Sequence, residues 1–251
     1  MTAFAILATF EMAGRDKGAK GLFGWVKKLP WKDVRFFTPF MAMVIFIAGG
    51  AGGVIMASYQ LNQLVHNTWF ITGHFHMTMA STVGLTYFAA LYWMIPILRH
   101  RKLTPGINRL GIIQTVIWTI GMLLMSVTMH VVGLMGAPRR SSFSTYGGHE
   151  IVSSWMPYLQ LISVGGILLF VAILLAVYLF IHLWFLAPKT DRPADFPIGV
   201  VSEKASQPPR ILERWSVWVG LSVVLSIIAY AVPLADMLLN PAPGALPLRP
   251  W

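Results

Sequence analysis

The chain reads as an all-α, polytopic bundle of membrane-spanning helices, and three features carry that reading. Of its residues 56% are hydrophobic and only 11% are charged, where a soluble globular domain carries about 25% charge. Its apolar residues gather in blocks of roughly 20 residues or more, the length a helix needs to cross the hydrocarbon core. Its basic residues fall almost entirely in alternate connections between those blocks, the bias that orients membrane helices.

The opening run, MTAFAILATFEMAGR, stays apolar only as far as Glu11, which is short of a full span. It reads as a partial helix over 1–15, either a short element in itself or the remainder of a longer helix in a chain that begins inside a larger protein. No signal peptide is visible. Five full spans are expected after it. The first, about 37–59, contains Gly49, Gly50, Gly52 and Gly53, small residues that either admit a neighbouring backbone or break the helix. The second covers about 69–98 and contains WFITGHFHMTMASTVGLTYFAALYWMIPIL. The third is expected over 110–134 and the fourth over 151–186, long enough for its N-terminal part to lie in the interface. The fifth is expected over 215–239. The connection DRPADFPIGVVSEKASQPPR, 191–210, is polar and proline-rich and therefore a surface loop, and the tail NPAPGALPLRPW is irregular for the same reason. With no internal repeat and no soluble portion, 1–251 reads as one membrane domain.

The formal net charge is +10, yet the connections 15–35, 99–109 and 188–214 hold sixteen of the nineteen Lys and Arg residues. The other side has only Arg139, Arg140 and Arg249. The charge therefore reports topology, with basic loops cytoplasmic, and not a nucleic-acid partner. There is no cysteine, which excludes disulfides and thiolate metal sites. Any iron would be held by histidine, carboxylate, methionine or tyrosine.

Two histidines, His74 and His76, stand in the outer part of the second span, His74 roughly 8 Å below Trp69 at the rise of an α-helix. Ionisable groups at such depth are costly and usually functional. Residues two apart point about 200° away from each other on an α-helix. One metal ion held by a single helix takes i and i+4, as in HExxH. The i, i+2 spacing suits two separate sites, and two haem irons, each taking one neutral imidazole as an axial ligand, satisfy it. Phe75 would lie between the two sites. Haem propionates near the membrane surface require cations, and Arg139 and Arg140 in GAPRR sit on the same outer side, against the charge bias. Guanidinium forks match carboxylates. His66 and Asn67, just before the second span, lie at the same level.

These residues resemble a known family. The run GGAGGVIMASYQLNQLVHNTWFITGHFHMT, followed by LYWMIP and GLMGAPRR, is similar to subunit I of the haem–copper terminal oxidases, nearest to the B-type, ba3-like branch. The resemblance extends over most of the chain, from EMAGR and GLFGW to the PAPG…W ending. It implies that His74 is the proximal ligand of the high-spin haem and His76 one of two axial ligands of the low-spin haem. It implies that His66 and Asn67 belong to the polar cluster around the high-spin haem propionates, and that Arg139 and Arg140 are the propionate-binding pair. Thr2 and Thr9 would fall on the helix lining the proton-uptake path, although threonine in a membrane helix commonly bonds back to its own backbone. His130, on the outer side of the third span, is a further candidate for the propionate network.

The implied whole is a proton-translocating cytochrome c:O2 oxidoreductase of a bacterial or archaeal plasma membrane, with the propionate side outward. Its cofactors would be a low-spin b-type haem, a high-spin haem of a, o or b type, and copper. Its partners would be the rest of subunit I, a subunit II that takes in electrons at copper or haem, cytochrome c or a similar donor, O2 and the bilayer. That family's subunit I has twelve or thirteen spans. Its copper histidines, linked tyrosine and second low-spin ligand lie in an N-terminal half whose motifs are not found here. His100, His149 and His182 do not match the copper motif. The expectation is the C-terminal part of subunit I, or a split-gene product, inactive by itself. Asn62 stands where some relatives carry an aspartate, and an amide cannot carry a proton on and off. Two other readings stay open at this stage, a nitric oxide reductase large subunit and a haem-free structural or assembly subunit. In the reductases the residue between the histidines is glycine rather than Phe75. A dihaem four-helix cytochrome b is disfavoured, since it spaces its histidines far apart along each helix.

Overall fold

The computed structural model describes residues 2–141, 143, 145–191 and 209–240, with side chains from residue 4 onward. The described chain is helical, without a named strand among the described residues. Five helical segments are long and apolar enough to cross a membrane, Val34–Ala57, Trp69–Arg99, Pro105–Leu134, Val152–Leu186 and Trp215–Leu239. They match the five expected spans in number and order. The expected loop over 191–210 and the irregular tail lie mostly outside the described residues. By contacts the chain divides into two units, Met1–Asp195 and Phe196–Trp251.

In the first unit, α1 (Thr2–Asp16) is the expected partial helix. It is tied down by aromatic contacts, with the Phe10 ring 5.0 Å from Phe36 and 5.9 Å from Phe40. The helix α2 (Val34–Ala57) begins at Asp33, whose carboxylate accepts the Arg35 backbone N–H. It passes through its four glycines unbroken, which settles the choice left by the sequence in favour of close approach. A short helix, α3 (Tyr59–Val65), follows it and was not expected. The second span is three joined pieces, α4 (Trp69–Phe75), a π-helical turn over His76–Ser81, and α5 (Thr82–Arg99).

The helix α6 (Pro105–Leu134) starts five residues before the expected 110. Thr104 caps it and Pro105 occupies its first turn, where a missing N–H costs nothing. α7 (Val152–Ile181) continues into a π turn over His182–Leu186. α6 packs along α7, and also against α4 and α2, so it is the central helix of the unit. The main core joins Ala42 and Ile45 of α2, Met77 of the π turn, Leu85 of α5, Trp118 and Met122 of α6 and Leu169 of α7. One pair of buried hydroxyls is matched between α2 and α6, those of Thr38 and Thr115 lying 2.8 Å apart. This is the condition for placing them away from water.

The helix ends are stitched in two groups. At one end Val34 N–H donates to Asn108 Oδ1 at 2.9 Å, and Asn108 Nδ2 donates to Lys32 O at 2.6 Å. Arg101 there donates to the carbonyls of Ala187 and Phe185 at 2.6 and 3.0 Å. At the other end Trp69 N–H donates to Ala137 O, and Arg139 N–H to Asn67 O. In the second unit, α8 (Trp215–Leu239) is one continuous apolar helix containing Pro233.

Candidate functional site

The register of α4 is fixed at its start. Thr68 Oγ1 accepts the Phe70 N–H at 3.2 Å and donates to Val65 O at 2.8 Å. One turn on, His74 turns toward α2. Its Nδ1 lies 3.0 Å from Gly49 O. A carbonyl oxygen only accepts, so Nδ1 carries the proton and Nε2 keeps a lone pair for a ligand. A Cβ at Gly52 would meet the His74 ring at 3.1 Å, and one at Gly53 at 3.2 Å. The glycines therefore make the room that His74 occupies.

His76 is held differently. Its Nδ1 lies 2.7 Å from Thr72 O on its own helix, so the same argument leaves Nε2 as the free donor. The π turn begins at this residue, and π-bulges recur at functional sites. His74 thus bonds across to α2, while His76 bonds back to its own helix. Phe75 between them is half-exposed, its ring 5.5 Å from that of His74.

The HNT and PRR segments meet at one end of the bundle. An antiparallel bridge joins Thr68 to Pro138, so the HNT and PRR segments run side by side. Arg139 N–H donates to Asn67 O at 3.0 Å. The Arg139 Nε is shut away from solvent and has no hydrogen-bond partner among the described residues. Arg140 is exposed and takes a positive φ of 63°. His66 and Asn67 are exposed beside them, and His66 Nδ1 lies 3.3 Å from Asn62 Oδ1, one turn back on α3. Trp69 Nε1 donates to the Tyr146 hydroxyl at 2.7 Å, which donates to Pro138 O at 3.1 Å. That pair pins the loop after α6 to the start of α4.

Other candidates fall elsewhere. Thr9 donates to Ala5 O at 2.8 Å within α1. The side chain of Thr2 lies outside the described residues. His100 is exposed at the left-handed end of α5, His149 is exposed before α7, and His182 opens the π turn after it. His130 differs from expectation. Its ring sits in T-shaped contact with Phe70 at 4.6 Å, against Gly73 and Gly52, on the side of His74. The reason is rotation about α6, which a depth estimate does not give. The available signal was a third histidine at nearly the depth of His74.

The donor set fits a haem better than a bare ion. Among the described residues no three His, Asp or Glu side chains gather, and a haem asks the protein only for axial donors. The two carbonyl-anchored imidazoles supply one donor each, the orientation that metal-ligating histidines commonly show. The orphaned Arg139 Nε suits a carboxylate.

Residues 1–168 match the family described as Cytochrome C and Quinol oxidase polypeptide I. Over 97% of its length the chain is 35% identical to a Thermus thermophilus cytochrome c oxidase subunit 1, of which it covers 44%. It is 40% identical over 108 residues to a shorter Thermus thermophilus cytochrome c oxidase subunit 1, covering all of that relative. A solved haem–copper terminal oxidase dimer matches 93% of the chain with a TM-score of 0.66 and 29% identity, over 42% of that structure's chain. The chain spans less than half the length of the longer relatives.

Proposed function

The chain belongs to the cytochrome c and quinol oxidase polypeptide I family, and on that premise we propose that it is the C-terminal part of subunit I of a B-type, proton-translocating respiratory oxidase. In this reading His74 is the axial ligand of the high-spin haem and His76 an axial ligand of the low-spin haem. The observation that carries it is the pair of imidazoles two residues apart on one span, each with Nδ1 against a backbone carbonyl, Gly49 O of a neighbouring helix or Thr72 O of its own. When bound, the haems supply electron transfer and, with copper held outside this chain, O2 reduction.

This chain's residues do the holding. The carbonyls fix the tautomer, so each ring offers Nε2 without waiting on a proton. Phe75 stands between the two ligands in sequence, its ring 5.5 Å from that of His74. The buried Arg139 Nε, with Arg140, His66 and Asn67, supports a propionate site that neutralises two carboxylates near the surface. Cytochrome c as donor, subunit II as partner and an outward-facing propionate side belong to the same proposal.

The test is a reduced-minus-oxidised spectrum with pyridine-haemochrome analysis on the membrane complex. H76A should remove the low-spin signal and H74A the CO-reactive one. Parental spectra in both variants would make the histidines packing residues and favour a haem-free subunit.

A further inference from the structure

We infer that Tyr146 is a positioning residue for the proposed propionate site, its hydroxyl fixing the peptide group from which the Arg139 side chain leaves. This rests on the reading of Arg139 as a propionate-binding residue. The geometry that carries it is one line of hydrogen bonds. Trp69 Nε1 donates to the Tyr146 hydroxyl at 2.7 Å, and that hydroxyl donates to Pro138 O at 3.1 Å. On the same peptide group the Arg139 N–H donates to Asn67 O at 3.0 Å. A peptide unit is planar and includes the Cα that follows it. One bond at its oxygen and another at its N–H therefore set how the plane is turned, and with it the point at which the Arg139 side chain starts.

Tyr146 is held there against its own backbone preference. Its φ is 46°, and Gly147 and Gly148 follow at 72° and 79°. Glycine takes that region freely, whereas a bulky residue stays in it only where its surroundings hold it. The buried Trp155 meets the Tyr146 ring edge-on at 5.2 Å. A phenylalanine would pack on Trp155 as well, so the hydroxyl does something that packing alone does not require. At the far end, Arg139 Nε is shut away from solvent with no hydrogen-bond partner among the described residues. An arginine tied at its backbone and unpaired at its side chain is set in advance for an anion, and its planar fork recognises a carboxylate only in the right orientation. A cation beside a haem propionate opposes the extra positive charge of the ferric state, so a well-placed Arg139 raises the haem potential and a loosened one lets it fall.

The test uses the assembled oxidase carrying Y146F, R139M or both, with redox titration of the two haems followed in the visible spectrum. R139M should lower the midpoint potential of the haem whose propionate it meets. Y146F should lower the potential of the same haem by less. The double variant should fall no further than R139M alone, because Tyr146 acts through Arg139 and coupled residues do not add. A parental potential in Y146F beside a lowered one in R139M overturns the inference and leaves the propionate reading standing. So does a Y146F shift that persists undiminished in the R139M background. Parental potentials in R139M overturn the propionate reading itself, and this inference with it. If Y146F does not assemble, W69F removes the donor to the hydroxyl. It should give a downward shift of the same haem that vanishes in the R139M background, and a parental potential there overturns the inference.

Discussion

Asp33 carries the start of α2 on one carboxylate. Its oxygen accepts the Arg35 backbone N–H at 2.9 Å, and the Arg35 guanidinium reaches the same carboxylate at 2.7 and 3.0 Å. The guanidinium also lies 4.5 Å over the Trp93 ring, which fixes it in place. Burial pushes the Asp33 carboxyl up, but the side-chain bond, backbone bond and charge of Arg35 together outweigh it and hold the group below the ordinary value of 3.8. The folded form therefore binds its proton more weakly than the unfolded chain. The stabilisation is complete above the ordinary value and is lost as pH falls through the lower folded value. D33A should cost about 0.5–2 kcal/mol, the usual cost of losing a cap. Thermal unfolding of the purified complex between neutral and acid pH would show it, with a shallower acid loss in D33A than in the parent. Equal acid slopes would remove Asp33 from that account. At the same scale His74, His76 and His130 follow one rule, in which a backbone carbonyl fixes the protonated nitrogen and leaves the other with its lone pair.

Between helices, glycine sets the spacing, and neighbouring glycines separate its two roles. A Cβ at Gly165 of α7 would lie 2.7 Å from Gly121 O and 2.8 Å from Met125 Cβ of α6, whereas one at Gly166 meets nothing within 4 Å. G165A should therefore destabilise by about 1–3 kcal/mol through overpacking, while G166A should be neutral or gain up to about 1 kcal/mol of helix propensity. Unfolding of the detergent-solubilised complex measures both, and equal effects would show that α6 and α7 do not cross at Gly121. The sequence made the spans legible because long apolar runs have few alternatives in lipid. It also put HNT and PRR at one level, because Arg139 and Arg140 broke the charge bias on the side of the histidines, while the bridge between the two segments is seen only in the fold. The start of α6 was mislaid because Asn108 and Arg109 look like loop, although Thr104 and Pro105 are a readable cap. The short α3 has too few residues for a periodic signal, and the π turns over His76–Ser81 and His182–Leu186 are too short to shift the apolar period of their spans. The partners of His74 and His76, Gly49 O and Thr72 O, are backbone atoms, and only the folded helices show which carbonyl lies opposite which ring. His130 was legible in depth and not in rotation.

At the scale of the whole first unit, the two stitched groups of helix ends mark its two opposite ends. Lys32, Arg101 and Asn108 join one end, where Lys102 N–H also donates to Pro188 O at 2.8 Å, while Asn67, Pro138 and Arg139 join the other. The first end carries the basic loops, so the positive-inside bias predicts a cytoplasmic position for it and an outward one for the proposed propionate group. The absence of any cysteine in the chain makes this directly measurable, since a single introduced thiol is the chain's only target for a maleimide. Lys102 and Glu150 are both exposed and lie at opposite ends of the first unit. In intact cells a membrane-impermeant maleimide should label E150C at once and K102C only after permeabilisation. The reverse pattern would turn the bundle over, bringing the HNT and PRR group to the cytoplasm and removing the outward propionate site. Labelling of both from outside would mean that one of the segments between them, α6 above all, does not cross. The expected pattern follows from length, charge and helix-end bonding together, and each of the three alone would allow a bundle of either direction or an unequal number of crossings.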